Sequence, residues 1–264
     1  MGGTPTVAAM PAHTIPVLEK SIAVLRAVAD GRNETTTKGL AHALGISPST
    51  VYRILQTLLA EDWVRPVAGG RHELSFGLLP LLQPLARHEL LIETARPFLA
   101  RLAADTGLAA KLSVRQGEQA VTLVRAESPR ETAVAVRVGA AFHLVLGSSG
   151  AVLLSELSAE DYRRLLAEAP KECWEHQTPA DVGKRIADCR RAGVCADFGG
   201  YQPSVHALSA PVRDRAGSVA GAFTVVGFAH DFEGRSNKAH SRALIAAATA
   251  CSQALQGAPF FSAA

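Results

Sequence analysis

The sequence predicts an α+β protein in two parts: a three-helix N-terminal unit closed by a small hairpin, and a larger mixed α/β unit. Two observations predict it. Apolar residues recur at helical spacing in three blocks over residues 15–64, and beyond Leu108 strand-like runs alternate with helix-like ones. At 264 residues the chain has the length of one large or two modest domains, and 48% hydrophobic with 19% charged residues is the composition of a soluble globular protein.

The first helical block is 16-PVLEKSIAVLRAVAD-30, with Leu18, Ile22, Leu25 and Val28 as its stripe, Pro16 in the first turn and Gly31 as its stop. The second is 35-TTTKGLAHALG-45, with Leu40 and Leu44 one turn apart and Gly45 at its end. The third is 47-SPSTVYRILQTLLAEDWV-64, where Ser47 caps, Pro48 occupies N1, and Val51, Ile54, Leu55, Leu58 and Leu59 form the apolar face. After Trp63 come β-like pieces around Gly69-Gly70, a two-residue hairpin signal. Three helices, the short turn Gly45-Ile46-Ser47 and a hairpin make the winged form of the helix-turn-helix, over residues 15–79. Residues 1–14 are expected as a disordered tail.

Residues 80–105 are expected as a linker helix, broken or started by Pro80, Pro84 and Pro97 and striped by Leu85, Leu91, Leu99 and Leu102. Over 106–258 the strand-like runs are 108–116, 120–126, 132–138, 194–198, 205–214 and 218–227, with Asp214–Gly217 as a hairpin turn. Helix-like runs cover 149–157, 159–169, 179–192 and roughly 238–256.

Formal net charge is only +3, and residues 1–80 carry seven Lys/Arg against six Asp/Glu, so a nucleic-acid partner has to be argued from geometry, not bulk charge. The four cysteines (Cys173, Cys189, Cys195, Cys251) show no C-x-x-C spacing, and the first dozen residues lack the pattern of a secretory signal; free thiols in a reducing cytoplasm are expected. The longest apolar run, 219-VAGAFTVVGFA-229, is too short to cross a bilayer, so no membrane partner is expected.

In a helix-turn-helix the N-terminal residues of the second helix meet base edges in the major groove. Ser47, Pro48, Ser49, Thr50 and Arg53 stand at those positions, Tyr52 and Gln56 at the margins, and Thr37 opens the preceding helix. Arg65 and Arg71 flank the wing turn, where phosphate or the minor groove would lie. A Ser-Pro-x-Thr start alone is an ordinary capped helix; the three helices, turn and hairpin in order are what point to double-stranded DNA.

These blocks resemble the IclR family of bacterial transcriptional regulators. Residues 16–77 are similar to its winged helix-turn-helix, in which a Ser-Pro-x-Thr helix start followed by Arg is characteristic. The segment 139-GAAFHLVLGSSGAVLLSEL-157 is similar to its Gly-(x)4-Leu-(x)5-Gly-(x)2-Leu-Leu region, and 190-RRAGVCADFGG-200 with 208-LSAPVRDRAGSVAGAFTVVG-227 to its Ala-Pro-Val-Arg-Asp…Gly block. The resemblance implies a GAF-like effector-binding domain after a linker helix, and homo-dimers or tetramers on palindromic operators.

An effector site is expected around Gly147-Ser148-Ser149-Gly150, where a helix N-terminus offers free N–H groups to a carboxylate. Late strands carrying Asp197, His206, Ala207, Ser209, Thr224 and Val226, together with Leu144, complete the expected lining. The family often has Cys-Ile-Ala-Ala where this chain has Ala207-Leu208-Ser209-Ala210, two serines where it has Thr224 and Val226, an acidic residue where it has Gly200, and a basic one where it has Ala151. Each departure removes polarity, so a carboxylate-bearing or aromatic effector larger or more apolar than the smallest keto acids is expected.

No catalytic residue, metal or cofactor is expected. Cys195 and His206 lie on separate strands with nothing to fix their geometry, and no histidine pairs at ligand spacing. The competing expectation is a metabolite-binding enzyme or sensor whose winged helix contacts protein.

Overall fold

The structure, a computed structural model, describes residues 14–31, 34–82 and 88–257. All of the expected tail but its last residue, and residues 83–87 of the expected linker, lie outside these. The chain divides into two compact units between Ala86 and Arg87.

In the first unit, α1 (Pro16–Asp30), α2 (Thr37–Leu44) and α3 (Pro48–Ala60) pack around Val24, Val28, Leu40, Val51, Ile54, Leu55 and Leu58, all buried. Thr36 caps α2, its Oγ1 accepting from the Gly39 amide at 3.0 Å. Gly45 ends α2 at φ 64°, a left-handed conformation that reverses the chain in one residue and lets α3 start almost at once. The apolar stripe of α1 divides: Val24 and Val28 enter the core, whereas Leu18 and Ile22, expected beside them, are exposed, with Val17 and Leu18 lining an open groove against Ile54 and Leu58 of α3.

The hairpin follows as β1 (Val64–Val67) and β2 (Arg71–Leu74), antiparallel from Val64↔Leu74 to Val67↔Arg71. Its connection is the three-residue turn Ala68–Gly70, one longer than the expected Gly69-Gly70 pair. Thr36 bridges Arg71, and the His72 amide donates to the Thr35 carbonyl at 3.1 Å, tying the start of α2 to the wing. A short α4 (Leu79–Leu82) ends the unit.

The second unit comprises α5 (Glu89–Thr106), β3 (Ala109–Gln116), β4 (Gln119–Ala126), β5 (Ala141–His143), α6 (Gly147–Leu154), α7 (Ala159–Glu168), α8 (Pro179–Ala192), β6 (Cys195–Gln202), β7 (Val205–Arg213), β8 (Val219–Phe228) and α9 (Arg235–Gly257). The strands form one antiparallel sheet in the order β5-β4-β3-β8-β7-β6.

Side chains alternate between the two faces of such a sheet, so each face has its own core. Leu112, Leu208, Ala210, Phe223 and Val225 point toward α5 and α9, where they meet Leu99, Leu102, Leu244 and Cys251. Ala120, Cys195 and Ala222 point the other way, toward α6, α7 and α8, with Val152, Leu154, Leu165, Val182 and Ile186. Residues 89–105 of the expected linker region, as part of α5, thus cover the sheet with a buried stripe of Leu91, Ala95, Leu99 and Leu102. Pro97 sits inside this helix, where it lacks the N–H that would bond one turn back.

The strand expected at 132–138 does not form. Val134, Val136 and Val138 alternate as a strand would, but among the described residues no strand pairs with them; Val134 and Val136 are half-buried and Val138 is 60% exposed. The outer edge of β4 is taken over Gln119–Val121 by the three-residue β5, which the sequence reading missed, and the 132–138 segment is held by the Arg125 guanidinium donating to the Val136 carbonyl. The Asp214–Gly217 turn is present, with the Gly217 amide on the Asp214 carbonyl at 3.1 Å.

Leu99, fully buried beneath the sheet, offers a direct check on α5. Leu99→Ala is expected to lower unfolding free energy by about 2–5 kcal/mol in urea titration, whereas truncation on a free connector would cost well under about 1 kcal/mol.

Candidate functional site

Each unit presents a surface whose chemistry can be built from its residues. On α3 of the first unit, Ser47, Pro48, Ser49, Tyr52, Arg53 and Gln56 are exposed, and Thr50 is half-buried. The hydroxyls at the helix start are tied together: Ser47 Oγ lies 2.8 Å from Thr50 Oγ1 and 3.3 Å from Ser49 Oγ, and accepts from the Thr50 amide at 3.4 Å. Arg53 is different. Among the described residues its guanidinium has no ion pair or hydrogen bond, and the residue is exposed.

The wing arginines are less free. Arg65 pairs with Glu73 directly across the hairpin, and Arg71 Nε donates to the Ala68 carbonyl at 3.3 Å. Thr37 is half-buried at the first position of α2, one residue past the cap.

The second surface is the sheet face toward α6. Strand register sets its floor in two rows. One runs Cys195, Ser209, Thr224, Lys111 and Arg125 across β6, β7, β8, β3 and β4; the other runs Asp197, Ala207, Val226 and Ala109. Ser148 Oγ on α6 lies 2.8 Å from Ser209 Oγ, which lies 2.8 Å from Thr224 Oγ1. Two bonds among three hydroxyls leave one hydroxyl proton uncommitted. Cys195 donates its thiol to the Ser148 carbonyl at 3.3 Å, and its neighbour Cys189, with burial, holds that thiol well above its usual range.

The start of α6 is set by close packing. A Cβ on Gly150 would stand 2.1 Å from the Leu144 carbonyl oxygen, so only glycine lets the helix lie against the chain entering it. Leu144, Gly147, Ser148 and Ser149 are buried, and no side chain caps the helix.

The expected Asp197 is there, but both carboxylate oxygens are engaged within the protein. Arg185 Nη1 donates to one at 2.9 Å and the Tyr201 amide to the other at 3.1 Å. Arg185 also donates to the Val145 carbonyl at 3.2 Å and to Gln177 Oε1; Gln177 in turn donates to Val145 O at 3.0 Å. Asp197 therefore positions β6, α8 and the approach to α6 rather than standing open to a ligand. Gly200 lies against this pair: a Cβ there would meet Asp197 Oδ1 at 2.5 Å.

His206 is not in this site. It is three residues from Ser209 on a strand, hence on the opposite face, where its ring packs 5.0 Å from Phe198 and 6.1 Å from Phe232. Period-two parity was available from the sequence and separates the two.

Lys111, Ser113, Phe142, Tyr201 and Arg185 were not anticipated. A lysine inside the apolar run 108–116 was the one visible signal for this face. Lys111 Nζ sits 4.7 Å from the centroid of the Phe142 ring, and that ring stacks on Tyr201 at 5.4 Å. Phe142 comes from β5 and Tyr201 from β6, the two edges of the sheet, so the pair forms a roof across this face. Burial pushes the Lys111 ammonium down to about 8 and also raises the Tyr201 phenol, which Cys173 raises further.

Two family descriptions match the chain: the IclR helix-turn-helix domain over residues 17–68, and the C-terminal domain of IclR bacterial transcriptional regulators over residues 83–253. The chain belongs to the IclR family. This DNA-binding transcriptional regulator is 28% identical over 226 residues to the HTH-type transcriptional regulator BhcR of Paracoccus denitrificans, spanning 81% of this chain and 77% of that one. A crystal structure of an IclR-class regulator from a Silicibacter species superposes with a TM-score of 0.64 at 25% identity, covering 93% of this chain and 98% of that one. An IclR homologue from Microbacterium hydrocarbonoxydans, complexed with 4-hydroxybenzoate, shares the fold at 19% identity and a TM-score of 0.67, covering 92% and 100%.

Arg185 provides the check on this architecture. Arg185→Met leaves the Asp197 carboxylate buried without its cation and is expected to cost about 3–5 kcal/mol in urea titration; adding Asp197→Leu should recover most of that loss.

Proposed function

We propose that this IclR-family regulator reads a palindromic operator through the first two turns of α3, as a dimer or tetramer, and that a small metabolite bound to the second unit modulates that reading. The observation that carries the DNA-reading half is Arg53: an exposed guanidinium without an internal partner, on the helix that follows a one-turn connection, one turn beyond a cluster of exposed hydroxyls. A guanidinium so placed fits guanine O6 and N7 bidentately. Ser47, Ser49, Thr50, Tyr52 and Gln56 serve base or phosphate contacts beside it. Arg71 serves phosphate at the wing, and Arg65 joins it where phosphate displaces Glu73. Glu61 and Asp62 at the far end of α3 repel phosphate, which confines the contact to the N-terminal half.

The exposed Ile15, just before α1, and Val17, Leu18 and Ile22 on it support self-association of the first unit, since such a strip is costly to leave in water. With two such units, half-sites lie about 10–10.5 bp apart or a multiple of that. The hydroxyls of Ser148, Ser209 and Thr224 and the uncapped start of α6 support an effector with a carboxylate or aromatic group, as the 4-hydroxybenzoate complex of the Microbacterium homologue illustrates for that protein. The effector acts by favouring one arrangement over another, because equal affinity for both would shift nothing.

Selection of binding sites from random duplex DNA tests the reading. The wild-type chain is expected to enrich an inverted repeat and to lose affinity steeply as salt rises; Arg53→Ala is expected to lose about 1–3 kcal/mol and its base preference at one position of each half-site. Enrichment of no sequence, or an Arg53→Ala profile identical to wild type, would overturn it.

A further inference from the structure

We infer that Lys111 is the ionic anchor of the effector site, and that the effector is a monocarboxylate with a planar, apolar body, its carboxylate on the Lys111 ammonium and its body beneath the Phe142–Tyr201 roof. The inference rests on the effector-binding reading of the second unit and adds to it the charge, the anchoring residue and the shape of the ligand.

The first support is the state of the cation. Lys111 lies on β3 in the same cross-strand row as Thr224 and Ser209, on the face toward α6. Among the described residues its ammonium makes no hydrogen bond or ion pair, and its one recorded contact is the face of the Phe142 ring. Lys111 is half-buried, and the burial it does have draws its ammonium down to about 8, so a counter-ion there would stabilise it. Its neighbour across the strand on β4, Arg125, adds a second positive charge, but that guanidinium is engaged by Glu127 and the Val136 carbonyl. The nearest buried carboxylate in the floor, Asp197, belongs to Arg185. Among the described residues, one cation thus stands on this face without a counter-charge, which calls for one anionic group.

The second support is independent of charge. Ser113, two residues along β3 and therefore on the same face, is fully buried and its hydroxyl has no hydrogen-bond partner. Buried hydroxyls are nearly always paired, so an unpaired one on the same strand face as an ammonium without a counter-charge points to a polar group that the protein itself does not supply there.

The third support is the roof. Phe142 and Tyr201, from opposite edges of the sheet, stack at 5.4 Å with their planes 26° apart above the Lys111 Nζ. Ala207, Val226 and Ala109 give the second floor row a smooth apolar surface. A flat body with one carboxylate matches a stacked roof, an apolar floor and a single free cation; a small dicarboxylate or a sugar acid would leave a charge or several hydroxyls against apolar walls.

Lys111→Gln in the full-length chain, with Lys111→Arg as the conservative variant, tests the assignment by titration calorimetry with benzoate and phenylacetate beside their uncharged amides. The wild type is expected to bind at least one acid about tenfold or more tightly than its amide, a charge-assisted contact being the difference. Lys111→Gln is expected to lose that preference and leave amide binding unchanged, and Lys111→Arg to restore part of it. Since the substitution removes a half-buried cation without a counter-charge among the described residues, the melting temperature of Lys111→Gln is expected to stay level or rise; a structural role would lower it.

Equal affinity of wild type for acid and amide, an acid preference that survives in Lys111→Gln, or no binding of either acid at about 20 mM, already near the floor of useful affinity, overturns the inference. The acid–amide comparison on wild type needs no variant. Release from the selected operator separates this from the reading beneath it. Lys111-dependent binding that leaves operator affinity unchanged upholds the anchor and sinks the effector reading. Operator release by the acids that is equal in wild type and Lys111→Gln does the reverse.

Discussion

The buried guanidinium of Arg185 holds the second unit's site together. From one turn of α8 it reaches Asp197 on β6, the carbonyl of Val145 just before α6, and Gln177 just before α8. Asp197 passes the constraint on through the Tyr201 amide, which fixes where the roof ring stands. Both terminal nitrogens of the guanidinium find partners, each in a different segment of the chain, while its Nε is buried without one. Loss of one contact would therefore move several parts of the site, not one.

Strand parity sorts everything else on the sheet. Ser209 and Thr224 meet because they are paired residues on adjacent strands, and Lys111 joins them by the same rule. His206 is excluded by it. Much of this was legible in the sequence: the three helices of the first unit, the brief turn at Gly45, the Asp214–Gly217 hairpin and the glycine–serine start of α6 all follow from local chemistry. What was not legible depended on long-range pairing. Arg185 reads as one more charge on an amphipathic helix, and only the fold turns it inward. Phe142 and Tyr201 are 59 residues apart in sequence and on opposite sheet edges, so no local pattern connects them. The false strand at 132–138 errs in the same way, since alternation describes a strand's faces but not whether a partner exists. Lys111 was visible, as a charge within an apolar run, and was passed over.

The first unit achieves its arrangement with few charges. Of the arginines on its reading surface, one is paired across the wing, one bonds its own turn, and one is free. Contact with a polyanion therefore depends on geometry at the start of α3 more than on a broad basic face, in keeping with a net charge of only +3 for the whole chain.

The roof has a further consequence, for the sheet's own safety. An open antiparallel sheet leaves two rows of unpaired backbone groups, each a template for a foreign strand. Here one edge strand, β5, is three residues long, and the other, β6, loses its register between Phe198 and Gln202. A three-residue strand and a strand with an interrupted register give another chain only short regular runs to extend. The features that shape a ligand site thereby also act against aggregation, and substitutions that flatten either edge put both at risk together.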